Sequence, residues 1–203
     1  MPETTTGGPT FTGLAVHRDL THRFSLLYTD AWHSLELESA GGKGVILTPD
    51  PDDISTSLSI ESRELGTTVT GDDLPTLRDG LKQGLSQLRD LTIEFEDYES
   101  INKLVMLDVQ FTYRDADDAD DAPLRKRWLR LAYQGQIQVR LIAQGDVDSY
   151  TYWLPAFNQS MRTFQFADWW AELTGHSWLN TLKRDGEELT FDVAEEGEAT
   201  SDE

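Results

Sequence analysis

Apolar and polar residues alternate along most of this chain, and the alternation limits the possible folds more than any other sequence feature. The clearest example covers residues 107–113, where Leu, Val, Phe and Tyr are separated by single Asp, Gln and Thr residues. A period of two places the apolar side chains on one face of a β-strand. The pattern predicts eight strands, centred on residues 24–28, 35–37, 45–47, 58–60, 93–95, 107–113, 129–133 and 137–143.

Two segments depart from this alternation and have the spacing of helices. In the first, leucines recur every three or four residues from Leu74 to Leu91, and Pro75 suits the first turn. Gly80 and Gly84 lie within this helix, and their spacing suggests a close approach of the helix to the sheet. The second predicted helix has one apolar face, formed by Trp153, Leu154, Phe157, Met161 and Phe164.

The order of these segments indicates the fold class. It consists of four strands, a helix, four strands and a second helix, whereas a doubly wound parallel sheet needs a helix after nearly every strand. We therefore predict an α+β fold in which one antiparallel sheet of seven or eight strands is flanked by two main helices, with a C-terminal extension. Residues 1–15 are predicted to be a flexible leader, 16–166 a single domain, 167–193 a Trp-rich extension and 194–203 a disordered acidic tail.

The charge of the chain restricts its environment and partners. It contains 37 Asp and Glu residues against 17 Lys and Arg residues, for a formal net charge of −20, and no Cys. Concentrated salt screens the repulsion between carboxylates, so we expect a salt-adapted cytoplasmic protein, and a melting temperature independent of KCl would contradict this. The charge disfavours nucleic acid and anionic membrane surfaces as partners. No apolar run approaches the ~20 residues of a transmembrane helix, so membrane insertion is not expected.

Three features of the core point to a known superfamily. The strand at residues 24–28 is followed by a turn and Trp32, the Leu-rich helix lies at residues 73–90, and the last helix carries Trp153 and Phe164. Over residues 15–166 this arrangement resembles the superfamily of the PsbP subunit of photosystem II, the yeast Ran-binding Mog protein and the DcrB-type bacterial lipoproteins. The resemblance implies a three-layer α/β/α sandwich in an acidic, haloarchaeal-type member, acting as a non-enzymatic accessory or binding domain. The lipobox Cys of the lipoproteins is missing, so membrane tethering is not implied.

The sequence contains no motif for catalysis or for binding a metal or cofactor. The Asp-rich segment 115–121 has Asp120 and Lys126 where an EF-hand loop needs its sixth-position Gly and twelfth-position Glu. The histidines show no HExxH spacing, and no GxSxG elbow or Gly-rich phosphate loop is present. We therefore predict no catalytic residues, no metal and no cofactor, and do not expect an enzyme.

A cluster of cations stands out in this acidic chain, and it consists of Arg125, Lys126, Arg127 and Arg130. In one interpretation these cations form cross-strand ion pairs with the neighbouring aspartates and fix the register of a hairpin. In the other, Arg130 and Arg140 share the outward face of adjacent strands with Gln138 and bind an anionic ligand. The second interpretation corresponds to a small-molecule binding protein, or an enzyme, with a pocket between sheet and helix.

Half of the six tryptophans lie beyond the predicted domain, at Trp169, Trp170 and Trp178. Large aromatic side chains are usually buried, and Trp is also a frequent hot-spot residue of protein interfaces. The segment therefore either docks on its own domain or binds a partner. Our leading interpretation is a non-enzymatic protein-binding or accessory domain that binds a protein partner through these residues, and a homodimer is an alternative.

Overall fold

The computed structural model describes residues 13–22, 24–39, 42–101, 103–115, 122–167, 181–184 and 187–190. Its helices are α1 (Leu74–Leu85), which follows a 3-10 turn at Gly71–Asp73, and α2 (Val147–Thr163). Its strands are β1 (Leu14–Asp19), β2 (Phe24–Thr29), β3 (His33–Ser39), β4 (Gly42–Thr48), β5 (Ser57–Val69), β6 (Arg89–Ile101), β7 (Leu104–Arg114), β8 (Arg125–Asp146), β9 (Gln165–Phe166), β10 (Thr181–Arg184) and β11 (Glu187–Thr190). The chain divides into two compact units, Met1–Gln165 and Phe166–Glu203.

The described strands form two sheets and a separate hairpin. The larger sheet has six strands in the order β3-β4-β5-β8-β7-β6, and all neighbours in it are antiparallel. The smaller sheet has the order β1-β2-β9, and β10 pairs with β11. The structure confirms a mixed α+β fold with two helices and mostly antiparallel strands, but the predicted single sheet of seven or eight strands is wrong. One reason is that β1, which is absent from the predicted strands, pairs with β2 in the smaller sheet.

β8 is the longest strand and lies between β5 and β7 in the six-stranded sheet. Its 22 residues combine the segments 129–133 and 137–143, which the sequence predicts as two strands. Gly135 has a φ of 62°, a left-handed conformation that glycine adopts without a Cβ clash. There the side-chain alternation slips by one residue, so that the side chains of Tyr133 and Gln138 share a face and are hydrogen-bonded. Odd-numbered residues before and after Gly135 therefore point to opposite faces of the sheet.

Both helices occur where the sequence predicts them, but with different limits. α1 ends at Leu85 and does not continue to Leu91, because β6 begins at Arg89. α2 begins at Val147 and not near Trp153, because the end of β8 leads directly into its first turn. The first two turns of α2 are rich in polar residues, so its apolar periodicity becomes visible only later in the sequence.

The two helices lie on opposite faces of the six-stranded sheet. On one face, Leu85 of α1 packs with buried residues of β7 and β8, including Phe111 and Leu129. On the other face, the Arg130 side chain of β8 donates a hydrogen bond to a main-chain oxygen of α2. The smaller sheet lies on the α2 face as well, because the Leu27 amide of β2 donates to Thr163 Oγ1 of α2 at 2.9 Å. The α1 face is therefore the less covered of the two.

Candidate functional site: a groove between α1 and the sheet

An open groove with a volume of about 760 Å³ lies between α1 and the six-stranded sheet, and we call it the α1 groove. Its helical wall contains leucines and two glycines of α1. Its floor is apolar and consists of Phe111, Leu129, Leu131, Tyr133 and Ile142. The volume falls within the range of roughly 300–1,000 Å³ that is typical of small-molecule sites.

The α1 groove stays open because two positions on its helical wall carry no side chain. Gly80 and Gly84 both line it, and a Cβ atom added at either position would meet no neighbouring heavy atom within 4 Å. The predicted close approach of the helix to the sheet at these glycines is therefore wrong. Leu77 and Leu81 remain half-buried, and Leu85 is the fully buried residue of α1.

Polar side chains of β5 and β8 form a rim beside the apolar floor. Arg140 Nη2 donates to Glu61 Oε2 at 2.6 Å, across the register that pairs these two residues. The buried Gln138 side chain donates to the Tyr133 hydroxyl at 2.7 Å and accepts a hydrogen bond from Arg63. The structure thus brings together Gln138 and Arg140 of the predicted anion site, and each already has protein partners.

Arg127 of β8 also lines the α1 groove, and its guanidinium is partly buried there. Its guanidinium carbon lies 4.6 Å from the centroid of the Tyr113 ring, and its Nη2 donates to Gln144 Oε1 at 2.8 Å. Its Nε is buried and has no hydrogen-bond partner in the described part of the chain. Burial lowers the pKa of the Arg127 guanidinium, and the nearby Asp115 carboxylate partly opposes this shift. Arg127 is therefore a desolvated cation at the edge of an apolar surface.

Arg130 lies elsewhere, so the structure does not bring it together with Gln138 and Arg140. The slip at Gly135 places Arg130 on the α2 face, where its Nε and Nη2 donate to the two oxygens of Asp108, each at 2.9 Å. Asp108 also accepts a hydrogen bond from Trp128 Nε1 at 2.9 Å. Both partners of the ion pair are largely buried, with side chains that are 12% and 8% exposed. This network belongs to the interior of the protein.

Two of the remaining clustered cations form ion pairs, one with a neighbouring aspartate and one with a glutamate of β6. Lys126 pairs with Glu94 of β6, and Arg125 pairs with Asp115 at 3.5 Å. Arg127 is the exception, and the close spacing of the four cations in the sequence conceals its different environment. A signal was present, since Arg127 has the same parity as Leu129 and Leu131 and must share their face of the strand.

The structure also brings together Asp19, His22 and Ser62, three residue types that occur in hydrolase active sites. Ser62 Oγ lies 2.8 Å from His22 Nδ1 and donates to Asp19 Oδ2 at 3.1 Å. Ser62 is only 2% exposed, and the Asp19 carboxylate accepts a hydrogen bond from the serine itself, whereas its Oδ2 lies 3.9 Å from His22 Nδ1. An activated nucleophile needs the opposite arrangement, in which the base contacts an accessible serine and the acid contacts the base. The cluster connects the β1–β2 turn to β5.

The remaining predictions concern metal binding, membrane insertion and the C-terminal tryptophans. Among the described residues, no three His, Asp or Glu side chains are grouped as a metal ion would require. Neither of the described helices combines the length and apolar character needed to cross a bilayer. The predicted partner-binding residues Trp169, Trp170 and Trp178 lie outside the described residues.

The fold has counterparts among solved structures. The solution structure of cyanobacterial PsbP (CyanoP) from Synechocystis sp. PCC 6803 matches with a TM-score of 0.53 and 14% sequence identity, covering 82% of this chain and 99% of that one. The crystal structure of LpqN, involved in cell envelope biogenesis of Mycobacterium tuberculosis, matches with a TM-score of 0.50 and 15% identity, covering 75% and 90%. Comparisons with protein-family models and with curated proteins gave no match. The chain therefore has a PsbP-like fold, and at these identities the likeness concerns the fold alone.

Proposed function

We propose that the protein is a non-enzymatic binding protein whose α1 groove holds a small anion with an apolar part. The observation that carries this proposal is the position of Arg127, a desolvated cation at the edge of an apolar floor. The chain has 37 acidic residues, yet Asp115, the described one that acts on Arg127, forms its ion pair with Arg125 instead. A ligand with a negative charge is the partner that such a site would complement.

The two parts of the groove would contribute differently to binding. Covering the apolar floor removes hydrocarbon from water, which contributes about 25 cal/mol per Å² of buried surface. Pairing with Arg127 would orient the ligand, because a guanidinium presents its donors in a fixed planar arrangement. An uncharged hydrocarbon would use the first contribution and not the second.

The chemistry of the groove supports binding rather than catalysis. Among the described residues that line it, the one carboxylate is Glu61, which is paired with Arg140, and none is a histidine. General acid–base catalysis needs a group that can exchange a proton with the reacting atom. The cluster of Asp19, His22 and Ser62 does not supply one, because the serine is buried.

We expect Gly80→Leu to weaken the binding of octanoate by at least about tenfold, or 1.4 kcal/mol, as measured by isothermal titration calorimetry. The new side chain would project into the groove, where the backbone leaves open space. The variant is expected to fold, since leucine favours a helix interior over glycine by about 1 kcal/mol.

Gln83→Leu is the matched control for this experiment. It adds the same side chain to an exposed position of α1 that does not line the groove, so octanoate affinity is expected to stay unchanged. If the original chain does not bind octanoate, or if the Gly80→Leu variant binds it equally well, the proposal is wrong.

We also propose that the C-terminal segment binds a protein partner through Trp169, Trp170 and Trp178, in a salt-adapted cytoplasm. The supporting observation is the concentration of three tryptophans within ten residues. In a pull-down from a high-salt lysate, we expect the full chain to retain a partner that is lost when all three are replaced by alanine. Identical retention by both chains would exclude this role.

A further inference from the structure

We infer that the ligand of the α1 groove is an aliphatic monocarboxylate and that Arg127 is the residue that pairs with its carboxylate. This inference rests on the proposed function, because it specifies the ligand class of the same groove. Three features of the protein support it, namely the unused hydrogen-bonding capacity of Arg127, the way the protein accommodates Arg130, and the side chains around both.

The hydrogen-bonding capacity of Arg127 is largely unused. A guanidinium has five N–H donors, and among the described residues the one acceptor is Gln144 Oε1. Gln144 is itself held in place, because its Nε2 donates to Ser57 Oγ at 3.3 Å. A buried donor without an acceptor is unfavourable, and the nearby Asp115 carboxylate offsets the desolvation of the Arg127 charge only in part. A carboxylate is suited to this position, since its two oxygens match two parallel N–H groups of a guanidinium.

Arg130 shows how the same strand accommodates another desolvated guanidinium. On the α2 face, both oxygens of Asp108 accept hydrogen bonds from Arg130, which satisfies its Nε and Nη2. On the α1 face, the corresponding atom Arg127 Nε is buried and has no partner among the described residues. The Asp108–Arg130 pair therefore illustrates the contact that we assign to the ligand carboxylate and Arg127.

The surroundings of Arg127 favour a ligand with one charge and a hydrocarbon chain. Arg140 is paired with Glu61, and the charge of Arg63 is solvated because that side chain is exposed, so a second anionic group is not needed at either position. A second carboxylate near Arg140 would also be repelled by Glu61. The floor next to Arg127 consists of hydrocarbon and aromatic rings, which complement an aliphatic chain.

The test compares octanoate with 1-octanol, which has the same chain length and no charge. For the full chain, isothermal titration calorimetry is expected to give an octanoate affinity at least about tenfold higher than that for 1-octanol. Arg127→Met removes the cation and keeps a linear apolar side chain. We expect it to abolish this preference by weakening octanoate binding about tenfold or more while leaving 1-octanol binding unchanged.

Arg78→Met is the matched control, because it removes the same charge from an exposed residue that is paired with Asp79 and does not line the groove. It is expected to keep the preference for octanoate. In case the Arg127→Met variant does not fold, a measurement on the original chain decides. The ¹⁵N resonance of Arg127 Nε is expected to shift on addition of octanoate and to remain in place on addition of 1-octanol.

The outcomes separate this inference from the proposed function. Equal affinities for octanoate and 1-octanol, or a preference for octanoate that survives Arg127→Met, would overturn the assignment of the carboxylate to Arg127 and leave the groove as an apolar site. Absence of binding by both compounds, or binding that Gly80→Leu does not affect, would overturn the proposed function as well.

Discussion

Replacing Asp108 with alanine is expected to lower the free energy of unfolding by about 3–5 kcal/mol. The carboxylate of Asp108 accepts hydrogen bonds from Arg130 and from Trp128 Nε1, and both residues of the ion pair are largely buried. Its removal leaves the charge of Arg130 without a counter-charge and the indole N–H without an acceptor. Unfolding by urea at a fixed KCl concentration measures the change.

The control for this prediction is Glu61→Ala, which removes one carboxylate from another arginine pair of β8. Arg140, the partner of Glu61, is 45% exposed, so water can solvate its charge after the change. An exposed pair of this kind contributes about 0–1 kcal/mol. Equal losses in the two variants would contradict the view that Asp108 compensates a buried charge.

Replacing Phe157 with alanine is expected to lower the free energy of unfolding by about 3–5 kcal/mol as well, because it removes a large side chain from a closed core. Phe157 is 0% exposed in the middle of α2. Its ring centroid lies 5.7 Å from that of Trp32 and 5.1 Å from that of Tyr150. The same urea titration measures this loss.

Tyr152→Ala is the control for Phe157→Ala. It truncates an aromatic side chain in the same helix, at a position that is 42% exposed. We expect a loss well below that of Phe157→Ala, since less apolar surface is removed from the interior. A loss at Phe157 below about 1 kcal/mol would mean that Trp32 and α2 do not form the core described above.

The alternation of the sequence predicts much of this fold. β7 has the clearest period-two pattern, and its Val105, Leu107, Val109 and Phe111 are buried on the α1 face. The Leu spacing identifies α1, and Trp32, in the turn after β2, is buried. These features follow from the local periodicity of apolar residues, which is visible in the sequence and predicts which side chains are buried.

The division of β8 between two faces could not be predicted in the same way. Leu131 and Leu141 have the same parity in the sequence, and a regular strand would place them on one face. In the structure, Leu131 faces the α1 groove and Leu141 the opposite side, because the alternation slips at Gly135. Both faces of the sheet are covered by helices, so apolar residues continue on either side of the slip and conceal it.

The candidate site was predictable only in part, for the same reason. Arg130 and Arg140 have equal parity, which predicts that they share one face, whereas the slip at Gly135 places them on opposite faces. The groove itself depends on the distance between α1 and the sheet, and the two helical glycines suggest a shorter distance than the structure shows. Separations of this kind arise from the packing of whole elements, which no local pattern in the sequence records.

The face change within β8 has a consequence for how the unit Met1–Gln165 unfolds. One continuous backbone supplies residues to the core under α1 and to the core under α2, and it is hydrogen-bonded to β5 and β7 on its two sides. If either core opens, β8 loses packing contacts on one face, and the same strand carries residues of the other core. The two layers therefore form a single cooperative unit, and a destabilising substitution in one core lowers the stability of both.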